Sequence, residues 1–445
     1  MIRPLTLAAC LALAPAAHAQ EKAGPLDITA STRLRAEAID GQARAGFGTS
    51  DELFNIRSTL GVSWRGEDVT LAAELWDSRV YGAKPTTPLT TGEVNAVELV
   101  QLYATANVRD LLGAGTKTQL QAGRFTLNIG SRRLVAADDY RNTTNGYTGL
   151  RADIAAPGGV KAVLIYTLPQ VRKPDDFASL KRNAVAVDRE SFDLVLWGGT
   201  VSRDRTIGDA MAELSFYHLG ERDSPSLATR DRSLNTAGGR VMIDPKTGHA
   251  DVEIEAFYQW GRASSGVATN AARTDVSASF VHADAGYTFA HSWKPRVSVE
   301  YDRASGDRPG GANARFDTLF GMRRADLAPA GLYNAIARTN LETFGLRLEV
   351  EPSKRLDAFV TWHSLWLASA TDAFSSTGVV DRSGASGRFA GNQIDARLRY
   401  WLVPDRLRFE FDGVLLAKGH FLRDAPNAPS GRTTRYGSIN LTMML

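Results

Sequence analysis

Apolar and polar side chains alternate along most of this chain, in runs separated by turn residues. A period of two is the mark of a strand whose faces meet different surroundings. From Asp27 to Asp40, Leu34, Ala36 and Ala38 share one face, and Arg33, Arg35 and Glu37 the other. Between Leu53 and Arg65, Phe54, Ile56, Leu60, Val62 and Trp64 oppose Asn55, Arg57, Thr59 and Ser63. Leu71, Ala73 and Leu75 oppose Thr70 and Glu74; Val100, Leu102, Ala104 and Ala106 oppose Gln101 and Tyr103; Phe192, Leu194 and Leu196 oppose Asp193. The runs within 209–219, 251–261, 296–302, 343–350, 393–402 and 406–415 repeat the pattern, and a strand from Thr434 to Leu445 closes the chain. Helical periodicity is almost absent.

A soluble sandwich would also alternate, so the period alone does not choose between environments. The runs, however, have the roughly 9–11 residues that cross a bilayer with tilt. Trp64, Tyr258, Trp260, Tyr301 and Tyr400 sit near the ends of apolar faces, where an interfacial aromatic girdle belongs. The polar faces are charged rather than merely hydrophilic. Short turns, such as 65–68, 351–354 and 403–405, alternate with long connections at 39–51, 171–189, 304–338, 370–388 and 418–432. The predicted fold is all-β: a single antiparallel transmembrane barrel of about 18 strands, with 16 as the alternative. It has short periplasmic turns and long extracellular loops. Asp326–Ala337, inside the longest connection, has the composition for a helical turn or two. That connection either folds into the lumen or lies on the surface.

The 445 residues carry a net charge of +3, which argues against nucleic acid as a partner. Residues 1–19 read as a signal peptide, with Arg3, an apolar run and the Ala17-His18-Ala19 cleavage site, leaving 20–445 as the barrel. The only cysteine, Cys10, lies in that leader. No nucleotide-binding loop, nucleophile elbow or metal-ligand spacing is present, so neither cofactor nor metal is expected. A pair of carboxylates for glycoside hydrolysis is not singled out, but it keeps a secreted β-rich polysaccharide hydrolase as an alternative.

One stretch breaks the pattern. Lys117–Asp153 begins as an alternating strand and then places Arg124, Arg132, Arg133, Arg141 and Arg151 among Gly, Asn and Thr. Arginine is rarely buried without a partner, so this density points to the polar lining of a pore. The succession Gly123-Arg124, Gly130-Ser131-Arg132-Arg133-Leu134, Tyr140-Arg141-Asn142-Thr143 and Gly149-Leu150-Arg151 resembles the bacterial alginate-export family of outer-membrane barrels. Ala304-Ser305-Gly306-Asp307 followed by Phe316-Asp317-Thr318-Leu319-Phe320 extends the resemblance. It implies an 18-stranded barrel conducting a uronate-like anionic saccharide through an Arg-lined constriction. Arg124, Arg132, Arg133, Arg141 and Arg151 would line it. Arg33, Arg35, Arg57, Arg347, Arg397 and Arg399 would supply wall charge or brace strands against carboxylates. Expected partners are the saccharide, outer-membrane lipid and a periplasmic export protein. An uptake porin for small acidic or aromatic solutes has the same architecture and stands as the second reading.

Overall fold

The computed structural model describes residues 25–224, 227–268, 270–323 and 326–445. The signal-peptide assignment to 1–19 lies outside them. Eighteen strands form one sheet: β1 Leu26–Asp40, β2 Ser50–Arg65, β3 Val69–Tyr81, β4 Asn95–Arg109, β5 Lys117–Phe125 and β6 Tyr147–Ala156. They continue as β7 Val160–Pro169, β8 Leu194–Ile207, β9 Ala210–Glu221, β10 Ser233–Ile243, β11 Ala250–Ser264 and β12 Arg273–Thr288. The last six are β13 Arg296–Ala304, β14 Leu341–Ser353, β15 Leu356–Trp366, β16 Phe389–Val403, β17 Leu407–Lys418 and β18 Thr433–Met444. Each pairs antiparallel with its sequence neighbour, and β1 also pairs with β18, from Ser31↔Met444 to Asp40↔Arg435. The sheet is therefore a closed barrel with no free edge, which hydrocarbon requires. Among the described residues no helix is long and apolar enough to cross a membrane.

The alternation sorts the two faces as expected. Leu60, Leu150, Ile254, Leu346 and Ile439 stand exposed on the outer surface, while Arg33, Arg35, Glu37, Asn55, Glu255 and Asp395 are buried on the inner one. Two runs differ from the sequence reading. In β4 the pairing jumps from Glu74↔Gln101 to Leu75↔Leu99, so a bulge removes Val100 from the exterior and buries it. In β8, Leu194 and Leu196 face inward, because loop residues pack against them.

Short turns gather at one end and long loops at the other. Two long loops enter the lumen. Residues 126–146 carry Leu127, Ile129, Leu134 and Val135 into an apolar cluster with Leu196, Tyr217, Leu219 and Phe280 of the wall. Within 305–340, Leu327, Leu332, Tyr333 and Ile336 join a second cluster with Ile39, Leu53, Leu365 and Phe421. Asp326–Ala337 is not helical; it runs as turns, satisfied by contacts across the lumen. The two loops meet through a parallel bridge, Val135↔Phe320, and through Phe320 N donating to Leu134 O at 2.9 Å. Only glycine fits at 321: a Cβ there would lie 1.8 Å from Arg133 O. The barrel wall is charged inside, as expected, but its long-loop half is filled by protein.

Candidate functional site: the lumen constriction

The inserted loops narrow the channel, and arginines hold them there. Arg33 and Arg35 on β1 and Arg57 on β2 point inward because they alternate with lipid-facing residues. Arg33 donates through Nη1 to Asp139 O (3.2 Å) and through Nη2 to Arg141 O (2.6 Å). Arg57 donates to the same two carbonyls at 3.0 and 3.2 Å and lies over the Trp76 ring. Arg35, only 1% exposed, bonds Asn440 Oδ1 (2.5 Å) and Tyr140 O and faces Glu37 at 3.7 Å. Asn142 donates to Ile56 O, Arg79 O and Glu93 O, and its own carbonyl accepts from Ser78 Oγ at 2.6 Å. The segment 139–142 is thus tied to the β1–β3 wall by side chains reaching its backbone. An ordinary loop would take those bonds from water.

Arg133 is the opposite anchor. It is 4% exposed. Its Nε and Nη2 hold Asp326 at 2.8 and 3.0 Å, and its Nη1 reaches Glu253 (2.6 Å) and Glu255 (3.0 Å) on β11. His282 on β12 lies 2.8 Å from Nη2, and Arg338 shares Asp326. Burial alone would pull the Arg133 pKa down; the carboxylates of Asp326, Glu253 and Glu255 more than reverse this and keep it cationic. The same carboxylates occupy its fork, so Arg133 locks the two loops and the β11–β12 wall together.

The other sequence-predicted arginines divide in two. Arg124 is braced by Glu98 and by Glu190 at 3.1 Å, Arg151 by Asp153 at 2.6 Å, and Arg347 by Glu349 at 2.8 Å. Arg397 and Arg399 both meet Asp357, at 3.2 and 2.9 Å. These line the inner wall as carboxylate-paired struts. Arg141 and Arg132 sit on the inserted loop itself. Arg141 pairs with Asp138 at 2.9 Å and donates to Asn145 Oδ1. Arg132 is exposed, in a left-handed conformation (φ 66°), and makes no ion pair among the described residues.

Sequence reasoning missed Arg172, Arg323 and Arg44, which come to the constriction from other loops. Arg172 donates to Thr91 O and Thr144 O, both at 3.0 Å; burial and the nearby Arg141 bring its pKa down to about 10. Arg323 donates to Asn334 Oδ1 and is likewise lowered to about 10 by burial, with Arg141 and Arg44 adding to the repulsion. Nothing local marks these residues; their convergence is a property of the closed barrel. Arg33, Arg57, Arg172 and Arg323 share one feature: none forms an ion pair with a carboxylate among the described residues. Their positive charge is fixed by carbonyl and amide oxygens rather than neutralised. Fixed charge inside a low-dielectric wall focuses its field into the lumen. Chemically the arrangement can attract, orient and pass anions.

Comparison with known proteins bears on the barrel itself. Among solved structures, the fold is similar to Pseudomonas aeruginosa OccK8 (OprE), at 11% identity and a TM-score of 0.57, over 94% of this chain and 98% of that one. Pseudomonas aeruginosa OccK2 (OpdF), solved in complex with glucuronate, matches at 10% identity and a TM-score of 0.55, over 94% and 96% of the two chains. Acinetobacter baumannii OccAB1 gives 10% identity and a TM-score of 0.57, again over 94% and 96%. At these identities the likeness concerns the fold. None of the curated proteins compared with the chain matches it. The family described as alginate export matches residues 25–435, nearly the whole barrel, and the chain therefore belongs to the alginate-export family, as a passive channel of the bacterial outer membrane.

Proposed function

We propose that this channel conducts a uronate-like anionic saccharide, attracted by arginines whose charge the protein leaves uncompensated at the constriction. The observation that carries the reading is the bonding of Arg33, Arg57, Arg172 and Arg323 to backbone and amide oxygens, with Arg132 exposed on the inserted loop 126–146. A carboxylate-bearing solute would be drawn by that field. It would be held only weakly, because most guanidinium donors are already occupied. Conduction needs this combination: binding favourable enough to enter and weak enough to leave. Arg124, Arg151, Arg347, Arg397 and Arg399 contribute wall charge with their carboxylate partners, and Arg35 and Arg133 set the aperture.

A second reading is an uptake channel for small acidic solutes, and one observation favours it. Both inserted loops cross the lumen and are tied to it at several points, which suits a short solute better than a polymer. The family match favours either channel over a secreted hydrolase. Blockade of single-channel current separates the two. Oligomeric uronates should interrupt the current for longer than neutral oligosaccharides of equal length. Blockade by monomeric uronate or benzoate but not by oligomers would transfer the function to small-solute uptake.

A further inference from the structure

The lipid-facing surface carries a charged feature that conduction does not use. At the long-loop end of β13–β16, direct cross-strand partners form one outward row: Arg303↔Glu342, Glu342↔Trp366, Trp366↔Phe389. Immediately below, Tyr301 and Phe344 are paired and exposed on the apolar belt. The row therefore sits where hydrocarbon gives way to head groups. Arg388, next to Phe389, donates through Nη2 to Glu342 Oε2 at 2.5 Å and through Nε to Leu367 O at 2.6 Å. Arg303 Nε lies 3.9 Å from the same carboxylate oxygen. Tyr301 OH donates to Glu342 Oε1 at 3.3 Å.

Two guanidinium groups and a phenol thus converge on one carboxylate. Elsewhere on the same rim the exposed pairs are one to one, as in Arg435 with Asp40 and Arg222 with Asp193. The cluster keeps a surplus positive charge. Arg303 Nη1 and Nη2 and Arg388 Nη1 have no hydrogen-bond partner among the described residues. Beside them in the row the Trp366 and Phe389 rings, 5.9 Å apart, and one step below them Phe344, make an apolar bed. Paired guanidinium donors above aromatic surface suit an amphiphile with an anionic head, since Arg forks match phosphate oxygens and aromatic side chains settle at the interface. Long loops lie on the cell's outer side in such barrels, so the lipid met here belongs to the outer leaflet.

We infer that Arg303 and Arg388 bind a phosphate of an outer-leaflet phosphorylated glycolipid, whose acyl chains lie on Phe344, Trp366 and Phe389. The test is native mass spectrometry of the detergent-purified full chain with added diphosphoryl lipid A. The same glycolipid without phosphates, and inorganic phosphate in excess, serve as separate arms. The wild-type barrel should retain the phosphorylated glycolipid, and inorganic phosphate should not displace it. The double variant Arg303→Gln/Arg388→Gln should bind it about tenfold more weakly, while Arg435→Gln should match wild type. Equal retention of the dephosphorylated glycolipid, unchanged binding by the double variant, or displacement by inorganic phosphate would overturn the assignment. Heat-modifiable gel mobility checks that each variant is folded. Arg303→Gln alone, which removes no hydrogen bond within the protein, carries the test if the double variant is not; it should bind the glycolipid more weakly than wild type, and unchanged binding would overturn the assignment.

Discussion

Adjacent arginines on the inserted loop 126–146 meet different surroundings in this barrel, and their partners decide what each can do. Arg133, enclosed by Asp326, Glu253 and Glu255, is a lock. Replacing it with Met leaves those carboxylates facing one another in a buried site, a loss of about 3–5 kcal/mol in loop docking. Hydrogen exchange across 305–340 should then rise sharply while the strands stay protected; unchanged protection would mean that the apolar cluster alone holds the loop. Arg132, exposed and without an ion pair among the described residues, is on the proposed reading a source of field. Arg132→Gln should leave folding intact and lower the anion-to-cation permeability ratio by roughly two- to fivefold, read from the zero-current potential. The sequence could show that both residues were unusual, being adjacent arginines in a Gly-rich stretch. It could not divide them, because the carboxylates around Arg133 come from positions 253, 255 and 326, far away along the chain.

At the level of elements, period two was readable because each strand touches only lipid on one side and lumen on the other. It fails where a third surface intervenes. Leu194 and Leu196 look like lipid-facing residues, yet they belong to one buried cluster with Leu127 and Leu134 inside the barrel. Val100 drops out of register at a bulge that no local residue announces. The inserted part of 305–340 is held by its apolar face, by Leu332 N donating to Glu37 Oε2 at 3.0 Å and by Arg323 donating to Asn334 Oδ1, so its removal should open the aperture. Deleting 327–336 is expected to raise single-channel conductance roughly twofold or more, as pore diameter dictates; an unchanged conductance would place the narrowest point elsewhere. The loop 170–193 is held differently. Asp188 accepts from Lys173 N and Asn95 Nδ2, both at 2.9 Å, and burial together with nearby Glu98 pushes its pKa up to about 6. A carboxyl raised above its unfolded value favours docking below that value and loses the contribution as pH rises through the folded pKa. Docking of this loop should therefore weaken between about pH 4 and pH 6, and Asp188→Asn should flatten the dependence. Protease cleavage within 171–193, followed across that range, reads it directly. Cleavage that falls as pH rises would contradict the sign.

For the molecule as a whole, closure turns separate alternating strands into a conduit. Strand number, the sorting of faces and the division into short and long connections were legible because a barrel in lipid leaves little freedom in each. The filling of its outer half was not, since it depends on which distant walls the loops can reach. The constriction that results is bordered on one side by uncompensated arginines and on the other by carboxylates bound to Arg133 and Arg338. Anion preference is the consequence that the proposed passage of a uronate-like saccharide requires most. The most direct measurement is the zero-current potential of the purified channel in a planar bilayer under a salt gradient. The expected result is a potential with the sign of anion permeation, which falls toward zero when Arg132, Arg172 and Arg323 are together changed to Gln. A cation-selective wild-type channel would contradict the account.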